Sequence, residues 1–371
     1  MDKFDLLVVG SGIVGLAMAW TGARRGLRVA VVERDHRCVG ASIRNFGFVT
    51  VTGQRQGHTW RRAMRSRDLW EEVAPQAGID VLHRGLWVLA RRPLAAEVLQ
   101  AFSQTEMGRR CRLLTAKEAA VLAPALQTDG AAAALYSPHE LRVESRTAIP
   151  LLAHWLSQEH GVRFTWGQAA LGVEGGRVHT SAGEFKADRI ALCPGTDLTG
   201  TALPWLVDLN LKLTRLQMMR VRPHAALSLS AAVMADLSLV RYAGYAALPQ
   251  AQALRAQLDQ EVPDSLEAGI HLIAVQSGDG SLVVGDSHHD DRTPEPFAQE
   301  AVDRLILGHL REAVRVEGCE VVERWTGVYP TGHDADAVIR APSPDLRVVV
   351  VTSGTGASTA FGLAEDVFDG W

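Results

Sequence analysis

Short, continuously apolar runs recur along this chain, and several close on a glycine. Phe4 to Gly10 is apolar and β-branched, the pattern of a parallel strand covered on both faces. From Ile13 to Arg25 small and apolar residues return at helical spacing, with basic residues in the last turn and Gly26 as a stop. "LRVAVVE", ending at Glu33, predicts a second strand. "ADRIALCPGTD", 187–197, predicts a third, preceded by "GRVHTSAGEFKAD", which reads as an antiparallel hairpin. "LRVVVVTSGTGASTAFGLAEDVFDGW", 346–371, adds an apolar strand, a Gly/Ser/Thr turn and a helix.

The middle of the chain alternates instead. "GLWVLAR" (85–91), "LKLTRLQMMRVRP" (211–223), "LSLVRYAGYAAL" (237–248) and "IHLIAVQSGDGSLVVGDS" (270–287) predict strands of an antiparallel sheet, the last turning at "GDG". Helices are predicted in "GHTWRRAMRSRDLWEEV" (57–73) and over 115–126, 141–161 and 296–314. The expected architecture is α/β with two domains: a Rossmann-like cofactor domain of 1–80, 141–205 and 326–371, and an antiparallel-sheet substrate domain of 81–140 and 206–325.

Strand, glycine turn, helix and strand within about thirty residues form a βαβ dinucleotide unit. In "VVGSGIVG", Gly10 permits the tight turn, Gly12 lets a pyrophosphate approach the backbone, and Gly15 lets helix and strand pack closely. The pyrophosphate would meet the helix N-terminus near Ile13 and Val14. Glu33, followed by Arg34, can accept hydrogen bonds from ribose hydroxyls and would repel a 2′-phosphate, which disfavours NADP. This unit alone leaves NAD and FAD open. Three strand-to-glycine turns, the others at Gly195 and at Gly354, Thr355 and Gly356, suit an extended ligand such as FAD. A helix beginning between Gly356 and Thr359, with Ser358 in its first turn, would aim free N–H groups at the negative charge of a reduced flavin. The loop "GASIRNFGFVT" supplies Ser42, Arg44, Asn45 and Gly47 beside the same ligand.

Composition narrows the rest. The chain has 371 residues, 47% hydrophobic and 22% charged, with a formal net charge of −4, so its overall charge offers nucleic acid or an anionic membrane no long-range attraction. Four scattered cysteines without metal-type spacing suggest reduced thiols and a cytoplasmic location. "MDKFDLLVVG" enters a strand pattern directly, so no leader is expected, and no apolar run approaches membrane-span length.

These motifs resemble the FAD-dependent amine and amino-acid oxidases of the D-amino-acid, glycine and sarcosine oxidase superfamily. The resemblance runs from "VVGSGIVGLAMAW" and "VVERD" through "GASIRNFGFV", "RIALCPGTD" and "ERWTGVYP" to "SGTGASTAFGLAED". "LTRLQMMR", "DGSLVVGDSHHD" and "RWTGVYP" look like a bacterial subgroup associated with aminophosphonate breakdown. The resemblance implies the D-amino-acid oxidase type of fold, oxidation of a C–N bond to an imine that hydrolyses, and oxygen as acceptor, giving hydrogen peroxide. Members with covalent flavin attach it through a cysteine or a histidine. Here 324–333 contains no cysteine and 41–49 no histidine, so non-covalent FAD is expected.

Candidate substrate contacts are Arg241, Tyr242, Tyr245, His288, His289, Arg324 and Tyr329, whose cations and hydroxyls would hold a carboxylate or phosphonate. "DSHHDD", 286–291, is expected to be a polar turn rather than a metal site, because adjacent histidines on a strand face opposite ways. No catalytic residue is required beyond the flavin. The first reading is an oxidase of a small anionic amine, with 2-aminoethylphosphonate or an N-methylated or hydroxylated derivative as first substrate. The alternatives are an oxidase or dehydrogenase of glycine, sarcosine or a D-amino acid, a dehydrogenase passing electrons to a quinone or carrier protein, and a non-catalytic redox sensor.

Overall fold

The computed structural model describes residues 3–332 and 335–371. The first sheet has eight strands among the described residues. Its main order is Ala337–Ser343, Leu346–Val351, Gly183–Leu192, Lys3–Val9, Val29–Glu33 and Arg163–Trp166, and a hairpin of Ala170–Glu174 and Arg177–Thr180 extends from the third of these. The central pairs are all parallel, with Val9 beside Leu192 and Val32, and Leu192 beside Val348. The C-terminal ends of the three predicted strands therefore lie side by side on one edge. Only the outer strand Ala337–Ser343 and the hairpin run antiparallel.

Both faces of this sheet are covered, which is why its strands read as unbroken apolar runs. Leu6, Val8, Val29, Val31 and Val349 pack under the helices Ile13–Arg24, His58–Gln76, Ser145–Glu159 and Gly356–Asp369. Leu7, Ala30, Val32, Ile190 and Val348 pack on the opposite face, against Val178 of the hairpin, Ala202 and Leu206. The Phe361 ring meets Trp20 and Trp70 edge-on at 5.3 and 5.2 Å, which locks the C-terminal helix to two others.

The second sheet has ten strands among the described residues, mostly antiparallel, and carries the largest core. Its spine is the long strand Lys212–Pro223, paired along its length with Cys319–Thr331. The hairpin Ile273–Gln276 and Leu282–Gly285 turns at the "GDG" segment as expected. One parallel pair, Val81–Ala90 with Ala232–Ala235, departs from the antiparallel expectation.

Two predicted elements differ. Residues 237–248 are short helices, Asp236–Leu239 and Ala243–Ala246, not a strand. The Tyr242 N–H donates to the Ser238 carbonyl at 3.0 Å, and a Cβ on Gly244 would lie 2.4 Å from the Gln54 carbonyl oxygen. The segment is wedged against a neighbouring loop, and that packing overrides its alternation. Residues 141–143 finish the strand Ala133–Val143, so the helix predicted over 141–161 is Ser145–Glu159.

Candidate functional site

The glycines of the first turn differ in what surrounds them. Gly10 has φ +102°, a conformation that favours glycine, and an added Cβ would lie 2.4 Å from the Cys193 carbonyl oxygen. At Gly15 a Cβ would sit 1.8 Å from the Gly10 carbonyl oxygen. Gly12 is otherwise: its only near neighbour is Ser42 Oγ at 3.1 Å, and a side chain there would project into a cavity. Ser42 Oγ accepts from the Ile13 N–H at 2.9 Å, which ties the loop after the second strand to the helix N-terminus.

Two cavities, of about 260 and 560 Å³, meet at Gly12, Ser42, Arg44, Cys193, Gly195 and Val328. The first runs from Gly10 to Glu33 and Arg34 at the ends of two strands. Glu33 Oε2 accepts from the Ser11 N–H and Oγ–H at 2.8 and 2.9 Å, and this holds the carboxylate at the trough's end. The second cavity is lined by Ile13, Val14, Gly15, Asn45, the turn Gly354 to Gly356, and Ser358. Here the C-terminal helix begins, at Gly356. Its position is fixed by Trp70 Nε1 donating to the Ala357 carbonyl at 2.9 Å and the Thr50 N–H donating to Ser358 Oγ at 2.8 Å. The three glycine turns thus border one continuous trough with a carboxylate at one end and a helix N-terminus at the other. An FAD fits this arrangement: Gly12 and Gly195 leave backbone bare where a Cβ would intrude, and Glu33 lines one end of the trough.

Two predicted cofactor residues lie outside the lining. Gly47, at φ +64°, is pressed against the Val143 carbonyl, where a Cβ would come within 1.8 Å. Thr359 is buried, its hydroxyl donating to the Thr355 carbonyl at 2.9 Å.

The second sheet closes the far side of the larger cavity. Four predicted substrate residues line it, namely Arg241, Tyr242, His288 and Tyr329, together with His271 and Asp286. Three do not. Tyr245 is fully buried against Phe102, at 4.5 Å between ring centroids, with its ring over Gly53. His289, the first residue of the strand His289–Asp291, is absent from the lining. Arg324 is held by Asp303, Nε to Oδ2 at 2.8 Å, outside the lining.

His271 and Asp286 were invisible as a pair in the sequence, being fifteen positions apart on either side of the hairpin turn. His271 Nε2 lies 3.0 Å from Asp286 Oδ1, and His288 Nε2 lies 3.7 Å from Asp286 Oδ2. Burial works against the Asp286 charge, yet His271, His288 and the Arg241 guanidinium more than offset it and hold its carboxyl at about 2. Burial pushes His288 well below the ordinary imidazole value and raises Tyr329 to about 12. The pocket therefore presents a buried carboxylate and two protonated phenols, with the more exposed Arg241 guanidinium at its edge.

Fold and site together define a class: a two-sheet oxidoreductase whose dinucleotide trough opens onto a pocket of the second sheet. The family model described as FAD dependent oxidoreductase matches residues 5–369. The chain belongs to that family, and FAD is its cofactor. Glycine oxidase of Geobacillus kaustophilus (strain HTA426) is 25% identical over 206 residues, 52% of this chain and 55% of that protein. The match thus spans about half the length of that relative. Among solved structures, glycine oxidase from Bacillus cereus ATCC 14579 has a TM-score of 0.79 at 18% identity, covering 99% of this chain and 98% of that one. L-proline dehydrogenase from P. horikoshii also has a TM-score of 0.79 at 18% identity, covering 100% and 94%. At these identities the structural likeness is one of fold. No helix among the described residues is long and apolar enough to cross a membrane.

Proposed function

We propose that the chain oxidises the C–N bond of a small zwitterionic amine, one carrying an anionic group. The observation that carries this reading is that Arg241 and Asp286 both line one cavity, one cationic group and one anionic group. A guanidinium holds a carboxylate or phosphonate through charge-assisted hydrogen bonds. Asp286 is a buried carboxylate whose near partners among the described residues are imidazoles rather than a lysine or arginine, so it can also accept from a substrate cation. A substrate ammonium supplies it.

The chain's work is then positional. Arg241 and the Tyr329 hydroxyl would orient the anionic end and Asp286 the amine, and orientation of the reacting carbon at about 3 to 3.5 Å can contribute about 7–11 kcal/mol to lowering the barrier. Bound FAD supplies the hydride acceptor, with oxygen as the final acceptor and hydrogen peroxide as its product. The N-terminus of the helix Gly356–Asp369, which opens on the cavity, would provide positive dipole to a flavin held there. We assign 1–80, 141–205 and 326–371 to the cofactor and 81–140 and 206–325 to the substrate; the first sheet supports the cofactor part, whereas Phe48–Val49 and the ends of Ala133–Val143 and Cys319–Thr331 cross those bounds into the second sheet. FAD is held without a covalent bond: burial raises the Cys193 thiol to about 12 and the Cys38 thiol to about 11, so the two cysteines of the trough are poor nucleophiles. Four unpaired thiols favour the cytoplasm.

Two substrate classes compete. An aminophosphonate such as 2-aminoethylphosphonate is favoured by the "LTRLQMMR" and "DGSLVVGDSHHD" motifs, an amino acid by the likeness to glycine oxidases. Anaerobic addition of 2-aminoethylphosphonate, its N-methyl derivative, glycine, sarcosine and D-alanine to the yellow protein should bleach the flavin band with at least one of them. A protein that no zwitterionic amine reduces would refute the reading and leave a redox sensor. Bleaching that air fails to reverse would make it a dehydrogenase.

A further inference from the structure

We infer that His271, Asp286 and His288 form a binding site for one divalent cation of the zinc type at the amine end of the cavity, and that the ion excludes the substrate. The second half rests on the reading above; the first does not.

Three observations carry it. The donor atoms come from both sides of a hairpin yet lie within 4.8 Å of one another, two imidazoles and one carboxylate. A tetrahedral ion with bonds near 2.1 Å spaces its ligand atoms at about 3.4 Å; His271 Nε2 lies 3.0 Å from Asp286 Oδ1 and His288 Nε2 3.7 Å from the other oxygen, Oδ2, on either side of that spacing. The second observation concerns hydrogens. His288 Nδ1 lies 2.9 Å from the Gly269 carbonyl oxygen, which only accepts, so Nδ1 carries the proton. In the neutral ring Nε2 is then a lone pair, and it lies 3.7 Å from Asp286 Oδ2. Orientation of a histidine by a peptide carbonyl behind it is the usual support of a metal ligand. Third, Asp286 Oδ1 is buried without an aligned hydrogen bond, despite His271 at 3.0 Å.

All three residues line the cavity, so a bound ion would keep an open position towards it, the arrangement of three protein ligands plus one exchangeable site. The nitrogen-rich set selects zinc, nickel, cobalt or copper over magnesium and calcium. An ion here occupies the place where an ammonium meets Asp286. Arg241 opposes it, since its guanidinium already acts on both Asp286 and His288. His289, absent from the lining, takes no part.

The test is calorimetric titration of chelator-treated holoenzyme with zinc chloride, and with magnesium chloride as contrast. One zinc per chain and no magnesium is expected. His271→Ala, His288→Ala and Asp286→Asn should each weaken zinc at least 100-fold, Arg241→Gln should tighten it, and His289→Ala should leave it unchanged. Circular dichroism and flavin content establish that each variant is folded. No stoichiometric zinc on the unaltered protein, or zinc retained by the His271→Ala/His288→Ala double variant, overturns the site. Zinc should also raise the apparent KM for the amine without lowering kcat. A fall in kcat at constant KM overturns the exclusion, and absence of any amine turnover counts against the proposed function while the calorimetry still judges the metal.

Discussion

Alanine at Gly12 and alanine at Gly15 should fail in opposite ways, although both glycines belong to one motif. Gly12 precedes the helix at φ −67°, ψ 174°, a conformation alanine adopts freely, and its added methyl would touch only Ser42 Oγ, at 3.1 Å. The apo-protein should therefore change in stability by no more than about 1 kcal/mol, the stiffer unfolded chain being set against the crowding of Ser42 Oγ. The methyl instead occupies the cradle for the pyrophosphate. Crowding a well-packed contact costs about 1–3 kcal/mol, which is about a 5- to 150-fold rise in the FAD Kd. At Gly15 the methyl would meet the Gly10 carbonyl oxygen at 1.8 Å, with Val8 Cγ1 at 3.3 Å. No side chain can swing away, so helix and strand must part. That loss, about 3 kcal/mol or more on the scale of overpacked cores, falls on the apo-protein itself. The assay is urea unfolding of deflavinated protein beside FAD titration followed by flavin fluorescence. Equal destabilisation of the two apo-proteins, or an unchanged FAD Kd for Gly12→Ala, would show that the packing and ligand roles are misassigned.

Other perturbations probe the remaining parts. Glu33→Ala should weaken FAD about 10-fold by removing a charged hydrogen-bond acceptor; an unmoved Kd in fluorescence titration takes Glu33 off the ribose. Arg241→Gln should raise KM about 10- to 100-fold with a smaller change in kcat, since it removes a charge-assisted anchor; steady-state kinetics showing the reverse split would reassign the residue. Arg324→Ala should change kcat and KM less than twofold but cost about 1–3 kcal/mol by leaving Asp303 short of a donor, and a large rise in KM would return Arg324 to the pocket. Burial, with the Arg142 charge adding to it, lowers His83 to about 3. The unfolded chain then binds the extra proton between about pH 6.5 and 3, so this contribution is complete above pH 6.5 and is lost as pH falls. His83→Gln should shrink the stability difference between pH 7 and pH 5 by about 2 kcal/mol, and unfolding curves with the same pH slope in both proteins would contradict it.

The cofactor end was legible in the sequence because its signals are local. A strand buried on both faces must be apolar throughout, and a turn at φ +102° against a carbonyl admits only glycine, so Gly10, Gly12, Gly15 and Glu33 declare themselves within one stretch. That the strands ending at Val9, Leu192 and Val351 bring their turns to one sheet edge then followed from three separate runs of the same kind; their order was set by pairing. The substrate wall was not legible. Residues 237–248 alternate like a strand, and only their packing against Gln54 and Gly53 makes them helical. Tyr245, His289 and Arg324 carry suitable chemistry, but which face of a strand or helix meets the cavity depends on register and on neighbours such as Phe102 and Asp303. The same holds for His271 and Asp286. Sequence by itself determined the nucleotide-binding turns, through steric limits that act over a few residues; the triad of His271, Asp286 and His288 was decided by tertiary structure, because a hairpin brings its two sides together only once the sheet exists.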